Sequence, residues 1–255
     1  MKSLNTYISE SLLDTDFDDS QAYALIEEEL REWIDKVYGV TPHYNKNATR
    51  SYVIDLKSHT VNSVSCVMVK DRSIDRLLPE GWSWGVVNEN FSCTGCENLK
   101  SLEGGPLEVG GSFYCSGCKN LKSLEGAPRL VHGNFSCSYC GNLRSLKGAP
   151  EEVGGSFLCN RCCSLKTLKG APKRVDEMFS CVFCKKLTSL DGAPEEVVGD
   201  FSCYGCVSLK TLEGAPKIVT GSFTCTRREK LKDLKDLPLN IGGSVFVPDK
   251  LKNFL

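Results

Sequence analysis

The chain has no apolar run approaching the roughly 18 residues needed to cross a bilayer, so no membrane association is expected of its 255 residues. Met1 to Asp19 is acidic and lacks the apolar centre of a secretory signal, so export by that route is not expected either. Histidine is scarce: His43, His59 and His132 stand far apart, and none falls in a nucleophile or metal motif. No glycine-rich phosphate loop or dinucleotide fingerprint occurs. The commonest enzyme signatures are therefore missing, and the expectation is a non-enzymatic protein. Net charge is nearly absent as well, at −1. Residues 1–90 hold 9 Lys/Arg against 15 Asp/Glu, and residues 91–255 hold 22 against 17. So weak a positive field over so long a segment is unlike the clustered basic stripe of a nucleic-acid binder, and nucleic acid is not an expected partner.

What the chain does have is a sentence repeated seven times, Phe-x-Cys-x-x-Cys-x-x-Leu-x-x-Leu-x-Gly-Ala-Pro-x-x-Val-x-Gly-x. Its anchors are Phe91, Phe113, Phe135, Phe157, Phe179, Phe201 and Phe223, a constant 22 residues apart. A fixed period of this size marks a solenoid, whose units bury their apolar faces only by stacking on one another. Within Phe-x-Cys the period of two puts both side chains on the inner face of a short strand. Cys, Leu and Leu at intervals of three suit a turn around the core. Proline ends regular structure there, and Gly111, Gly133, Gly155, Gly199 and Gly221 are expected at tight corners. The predicted fold is a β-dominated α/β repeat protein, a right-handed, leucine-rich-repeat-like solenoid of parallel strands behind an N-terminal helix and a capping unit.

Four segments are expected. Residues 1–18 read as a flexible acidic leader. Residues 19–60 supply a helix and a strand cap; Ala22, Ile26, Leu30 and Ile34 recur at helical spacing from Ser20 to about Val37. Residues 61–90 form a degenerate capping repeat, with Val64-Ser-Cys66 matching Phe-x-Cys and with Trp82 and Trp84 as an apolar lid. Residues 91–255 are the seven-repeat solenoid, in which Arg228 replaces the last second cysteine and Leu251 to Leu255 close the end.

The 15 cysteines include six Cys-x-x-Cys pairs: Cys93/Cys96, Cys115/Cys118, Cys137/Cys140, Cys159/Cys162, Cys181/Cys184 and Cys203/Cys206. Their spacing falls in a zinc-site window. In a solenoid the period alone produces that spacing, and cysteine packs as a small apolar group. Core packing is the preferred reading, zinc the alternative cofactor and disulfides between repeats a third. Cys163, just beyond a pair, is expected to face outward as the most accessible thiol.

Phe157-Leu-Cys159-Asn-Arg-Cys162-Cys-Ser-Leu165 resembles the leucine-rich repeat sentence L-x-x-L-x-L-x-x-N/C-x-L, with one extra residue before the final Leu. The Gly-Ala-Pro segments are similar to short proline-bearing repeats of pathogen effectors and tailed-phage proteins. Met1-Lys2-Ser-Leu-Asn-Thr-Tyr7-Ile8-Ser9-Glu10-Ser11 resembles the leaders that direct internal proteins into phage proheads. That resemblance implies a processing site after Glu10, and either the cytoplasm of an infected bacterium or the virion as the location. It also admits a structural or packaged virion protein as an alternative function.

Positions between the repeated residues vary, and binding is expected there. Tyr114, Tyr139, Leu158, Arg161, Phe183 and Tyr204 are expected near one another on the open strand face, the composition of a protein-binding patch. The leading functional expectation is a protein-interaction module for a host or phage protein; a zinc-binding repeat protein contacting nucleic acid is the runner-up. Lys100, Lys122, Arg144, Lys166, Lys210 and Lys232 form a second column beside a mixed row of Glu103, Glu125, Lys147, Lys169, Asp191, Glu213 and Lys235, expected to be a solvated, partly compensated ladder.

Overall fold

The computed structural model describes residues 19–38, 52–63, 66–227 and 230–255. The leader with Glu10, together with His43, Val64 and Arg228, lies outside these residues. Helix α1 (Asp19–Val37) buries Leu30, Ile34 and Val37, as the helical spacing predicts, while Glu28, Glu32 and Asp35 stay exposed. Tyr38 follows, fully enclosed. Its ring meets Trp84 edge-on at 5.1 Å, and its hydroxyl donates to the Leu77 carbonyl. Trp84 in turn meets Phe91 at 6.1 Å, and Trp82 and Trp84 are both buried. The lid expected of the two tryptophans is present, and α1 with Tyr38 completes it.

The capping strands are β1 (Tyr52–Asp55), β2 (Thr60–Ser63), β3 (Val67–Met68) and β4 (Ser83–Val87). β1 and β2 pair antiparallel, Tyr38 makes an isolated antiparallel bridge to Val69, and the later pairings among the described strands are parallel. One expectation is corrected here. The capping repeat does not place Val64-Ser-Cys66 at the Phe-x-Cys position, because Val67 pairs with Phe91 and Met68 with Ser92. The physical reason is fill: Val67 and Val69 both point inward and are buried, whereas Cys66 is half-buried and donates its thiol to Glu89 Oε2 at 3.0 Å.

From Phe91 onward each repeat contributes two two-residue strands, one opening on the phenylalanine and one ending on the valine (Ile241 in the seventh), as in Phe135–Ser136 and Glu152–Val153. The Phe strands belong to a nine-stranded parallel sheet that β3 begins and Val245–Phe246 ends; the Val strands continue β1, β2 and β4 into a ten-stranded sheet. The result is a parallel β-solenoid of about eight turns with the 22-residue period. The second sheet was not foreseen at Pro-x-x-Val, where a corner was expected. Its signal in sequence is only one outward residue followed by one buried valine, too short to register as alternation.

The core is a set of ladders. Phe91 to Phe223 stack face to face with centroids 5.0 to 5.4 Å apart. The valine and both leucines of each of the first six repeats are buried beside them, while the seventh buries Leu231 and leaves Leu234 and Ile241 half-buried. Glycine acts in two different ways. Gly155, an expected corner, has ordinary φ and is required by contact, since a Cβ there would lie 2.8 Å from the Gly133 carbonyl carbon. The left-handed glycine is that of Gly-Ala-Pro: Gly148 has φ +84°, and its Cβ would sit 2.4 Å from Glu125 N. At the far end the 3-10 helix Asp249–Phe254 buries Leu251, while Phe254 and Leu255 remain exposed, so the tail closes that end only through Leu251.

Candidate functional site

After the first cysteine of each repeat the backbone turns, and the residue before the second cysteine takes positive φ. Glycine fills this position at Gly95, Gly117 and Gly205, with φ between +69° and +76°. Four repeats instead hold larger residues there: Tyr139 (φ +62°), Arg161 (+58°), Phe183 (+59°) and Arg227 (+58°). Left-handed backbone costs a residue with a side chain about 1–2 kcal/mol. Hydrogen bonds to the next turn hold it in place: Tyr139 N donates to Asn160 O at 2.7 Å, and Arg161 N and Phe183 N donate to the carbonyls of Val182 and Tyr204 at 2.8 Å.

These side chains form one row along the solenoid. The Arg161 guanidinium lies 4.7 Å from the Phe183 ring centre and 5.7 Å from that of Tyr139. Phe183 meets Tyr204 edge-on at 5.4 Å, and Arg227 lies 5.6 Å from the Tyr204 ring. Gly205 is the seat of this row, since a Cβ there would come within 2.4 Å of Phe183 Cδ1. Beneath the row, Asn160 Oδ1 accepts from Ser180 Oγ at 2.6 Å and from Val182 N at 2.8 Å, and Ser138 Oγ accepts from Asn160 N at 3.2 Å.

Four of the six residues expected in the patch, Tyr139, Arg161, Phe183 and Tyr204, are thus in a continuous row. Tyr114 and Leu158 are half-buried in the neighbouring column, at second positions of Phe strands. Ser136 lies between them in register, and it is buried rather than outward, as are Ser138 and Ser180. Arg227 was missed, although it occupies the same place in its repeat as Arg161. Among the described residues neither arginine meets a carboxylate.

The paired cysteines are buried thiols. From the second pair onward, the second cysteine points its thiol at the carbonyl of the first cysteine one repeat earlier: Cys118 to Cys93, Cys140 to Cys115 and Cys162 to Cys137 at 3.2 Å, Cys184 to Cys159 at 3.1 Å, Cys206 to Cys181 at 3.0 Å. This ladder gives each of these turn carbonyls a donor from the next turn, and at Cys93 and Cys181 it adds to the backbone N–H of Cys96 and Cys184 at 3.2 and 3.4 Å. Burial pushes Cys96 up to about 12 and is the largest cause raising Cys115; the neighbouring thiols, then burial, raise Cys93, Cys137 and Cys181. Thiols raised in this way stay protonated, which suits a hydrogen-bonded core better than thiolate metal ligands; Cys118 is the exception, lowered by its hydrogen bond with the Cys93 thiol. Among the described residues no cluster of three or more His, Cys, Asp or Glu is arranged to hold a metal. Cys163 is exposed, as expected.

The other charged columns are largely self-compensating. Glu125 pairs with Lys147 at 2.8 Å and Lys169 with Asp191 at 3.0 Å, so the lysines that interrupt the acidic row partner it across turns. On the Val face, Arg129, Glu151, Lys173, Glu195 and Lys217 alternate in sign, with Arg129–Glu151 at 3.3 Å and Lys217–Glu195 at 2.9 Å. Of the acid pairs Glu151-Glu152 and Glu195-Glu196, Glu152 and Glu196 open Val strands, and Glu196 pairs with Arg174 at 2.5 Å. His132 pairs with Glu108 at 3.0 Å. The column Lys100, Lys122, Arg144, Lys166, Lys210 and Lys232 is exposed. Among the described residues no helix is long and apolar enough to cross a membrane. No protein-family model, curated protein or solved structure matches the chain.

Proposed function

We propose that this solenoid is a non-enzymatic protein-interaction module that engages its partner through the row Tyr139, Arg161, Phe183, Tyr204 and Arg227, with Tyr114 and Leu158 at its margin. The observation that carries the reading is strain kept on the surface. Glycine serves the same backbone position in three sister repeats, yet here large side chains hold left-handed backbone and remain partly or fully exposed. Retained strain of this kind clusters at binding and catalytic sites. Aromatic and arginine residues are also the ones that concentrate binding energy at protein interfaces. The leader and the Gly-Ala-Pro repeats support a phage-encoded origin, with a phage or host protein as partner.

The test is affinity capture from infected or expressing cells with the wild-type chain and with Tyr139→Ala/Phe183→Ala. Specific partners should drop at least tenfold with the variant while its thermal unfolding stays cooperative. Equal recovery by both proteins would remove the reading.

A further inference from the structure

The row carries information about what it binds. Arg161 is held between Tyr139 and Phe183, and Arg227 lies against Tyr204. A guanidinium held over aromatic rings keeps N–H donors for a carboxylate, which it receives best through two parallel hydrogen bonds. Among the described residues neither Arg161 nor Arg227 meets an acid, unlike Arg129 and Arg174 on the Val face. Arg144 and the lysines of its column meet none there either, so what sets Arg161 and Arg227 apart is the aromatic rings that hold them.

We propose, resting on the interaction reading above, that the occupant is an extended acidic segment of a partner protein carrying two Asp or Glu residues four positions apart with an apolar residue midway. The spacing follows from strand geometry. Arg161 and Arg227 are three turns apart in the solenoid, about 14 Å at the 4.8 Å spacing of neighbouring strands, and four residues of extended chain cover about the same length. In an extended chain residues i, i+2 and i+4 share one face. Carboxylates at i and i+4 then reach the two arginines, and the residue at i+2 lies on Phe183 and Tyr204, which stand between them. A single-stranded nucleic acid fits less well. Its bases need open aromatic faces, whereas Phe183 is covered by Arg161 and contacts Tyr204, and Tyr204 carries Arg227.

The experiment is selection of a randomised twelve-residue peptide library on the whole chain, followed by affinity measurements. The expected winners carry Asp or Glu at i and i+4 with an apolar residue at i+2. Replacing their acids by the matching amides should weaken binding at least tenfold. Arg161→Gly with Arg227→Gly should weaken it as much while leaving the thermal midpoint unchanged or higher, because glycine relieves the left-handed backbone at both positions. Peptides that require Tyr139 and Phe183 but not their own acids would overturn the acidic-segment inference and leave the interaction module standing. A selection yielding no peptide dependent on the row would count against both. A lowered midpoint in the double glycine variant would make the arginines structural, and displacement of the peptides by an oligothymidine strand would replace the acidic segment with a nucleic acid; either result overturns the proposal.

Discussion

At the scale of single residues, the cysteines separate sharply by environment. Cys163 is exposed and Cys66 half-buried, while the other cysteines are buried. The Glu89 carboxylate beside Cys66 raises its pKa by accepting from the thiol and by opposing a second negative charge. A thiolate-directed alkylating agent applied to the native, reduced protein at neutral pH should therefore modify Cys163 first, Cys66 more slowly and the rest only on unfolding. Peptide mapping by mass spectrometry reads this order directly; early modification of Cys137 or Cys140 would contradict the ladder. The inward cysteines were legible in the sequence because they share the period-two face of Phe-x-Cys. The strained row was only half legible. Tyr139, Arg161 and Phe183 stand out as large residues among small ones, but their positive φ does not, since nothing in composition distinguishes a glycine needed for conformation from one needed for space. Arg227 went unnoticed because its own repeat is degenerate and draws attention to the missing cysteine instead.

At the scale of elements, the phenylalanine stack couples each repeat to the next. The rings between Phe91 and Phe223 are nearly parallel over most steps, and Phe135–Phe157 is the one step tilted by 20°. Truncating a buried phenylalanine costs about 3–5 kcal/mol. In a solenoid whose units contact only their neighbours, that loss falls on two interfaces rather than on the whole core. Phe157→Ala should accordingly split urea unfolding into two transitions, followed by circular dichroism, whereas Phe223→Ala should fray the C-terminal turns and leave one main transition. A single unshifted transition in Phe157→Ala would show that the stack does not carry the coupling. The helix, the tryptophan lid and the Phe strands followed from apolar spacing over many residues. The Val strands of the repeats did not, because each has one inward valine and no second inward residue two positions on, such as Phe-x-Cys supplies; they exist through pairing with the turns above and below, a tertiary fact repeated seven times rather than a local preference.

For the molecule as a whole, buried thiols make stability depend on alkaline pH. A group whose folded pKa is raised keeps its proton in the native state while the unfolded chain loses it. The native protein then binds more protons, and stability falls as pH rises. The ordinary thiol value is 9.0 and Cys96 is pushed to about 12, with Cys93, Cys115, Cys137 and Cys181 also raised. The stabilisation is thus fully present below pH 9 and, for Cys96, is lost between there and about 12, while Cys118, lowered by its hydrogen bond with the Cys93 thiol, works in the opposite direction. Each raised thiol adds a slope of up to about 1.4 kcal/mol per pH unit within its window. Urea midpoints measured under reducing conditions should be flat from pH 7 to 8.5 and then collapse steeply; a flat profile to pH 11 would mean that the thiols are not confined to the core. The Val face adds a different kind of constraint. Its column Arg129, Glu151, Lys173, Glu195, Lys217 changes sign at every turn. Removing residues 135–156 would set Arg129 against Lys173, while removing 135–178 would set it against Glu195. The solenoid therefore has parity: along this column it can be shortened by an even number of repeats without bringing like charges together, and the unit of permissible length change is the pair rather than the single repeat.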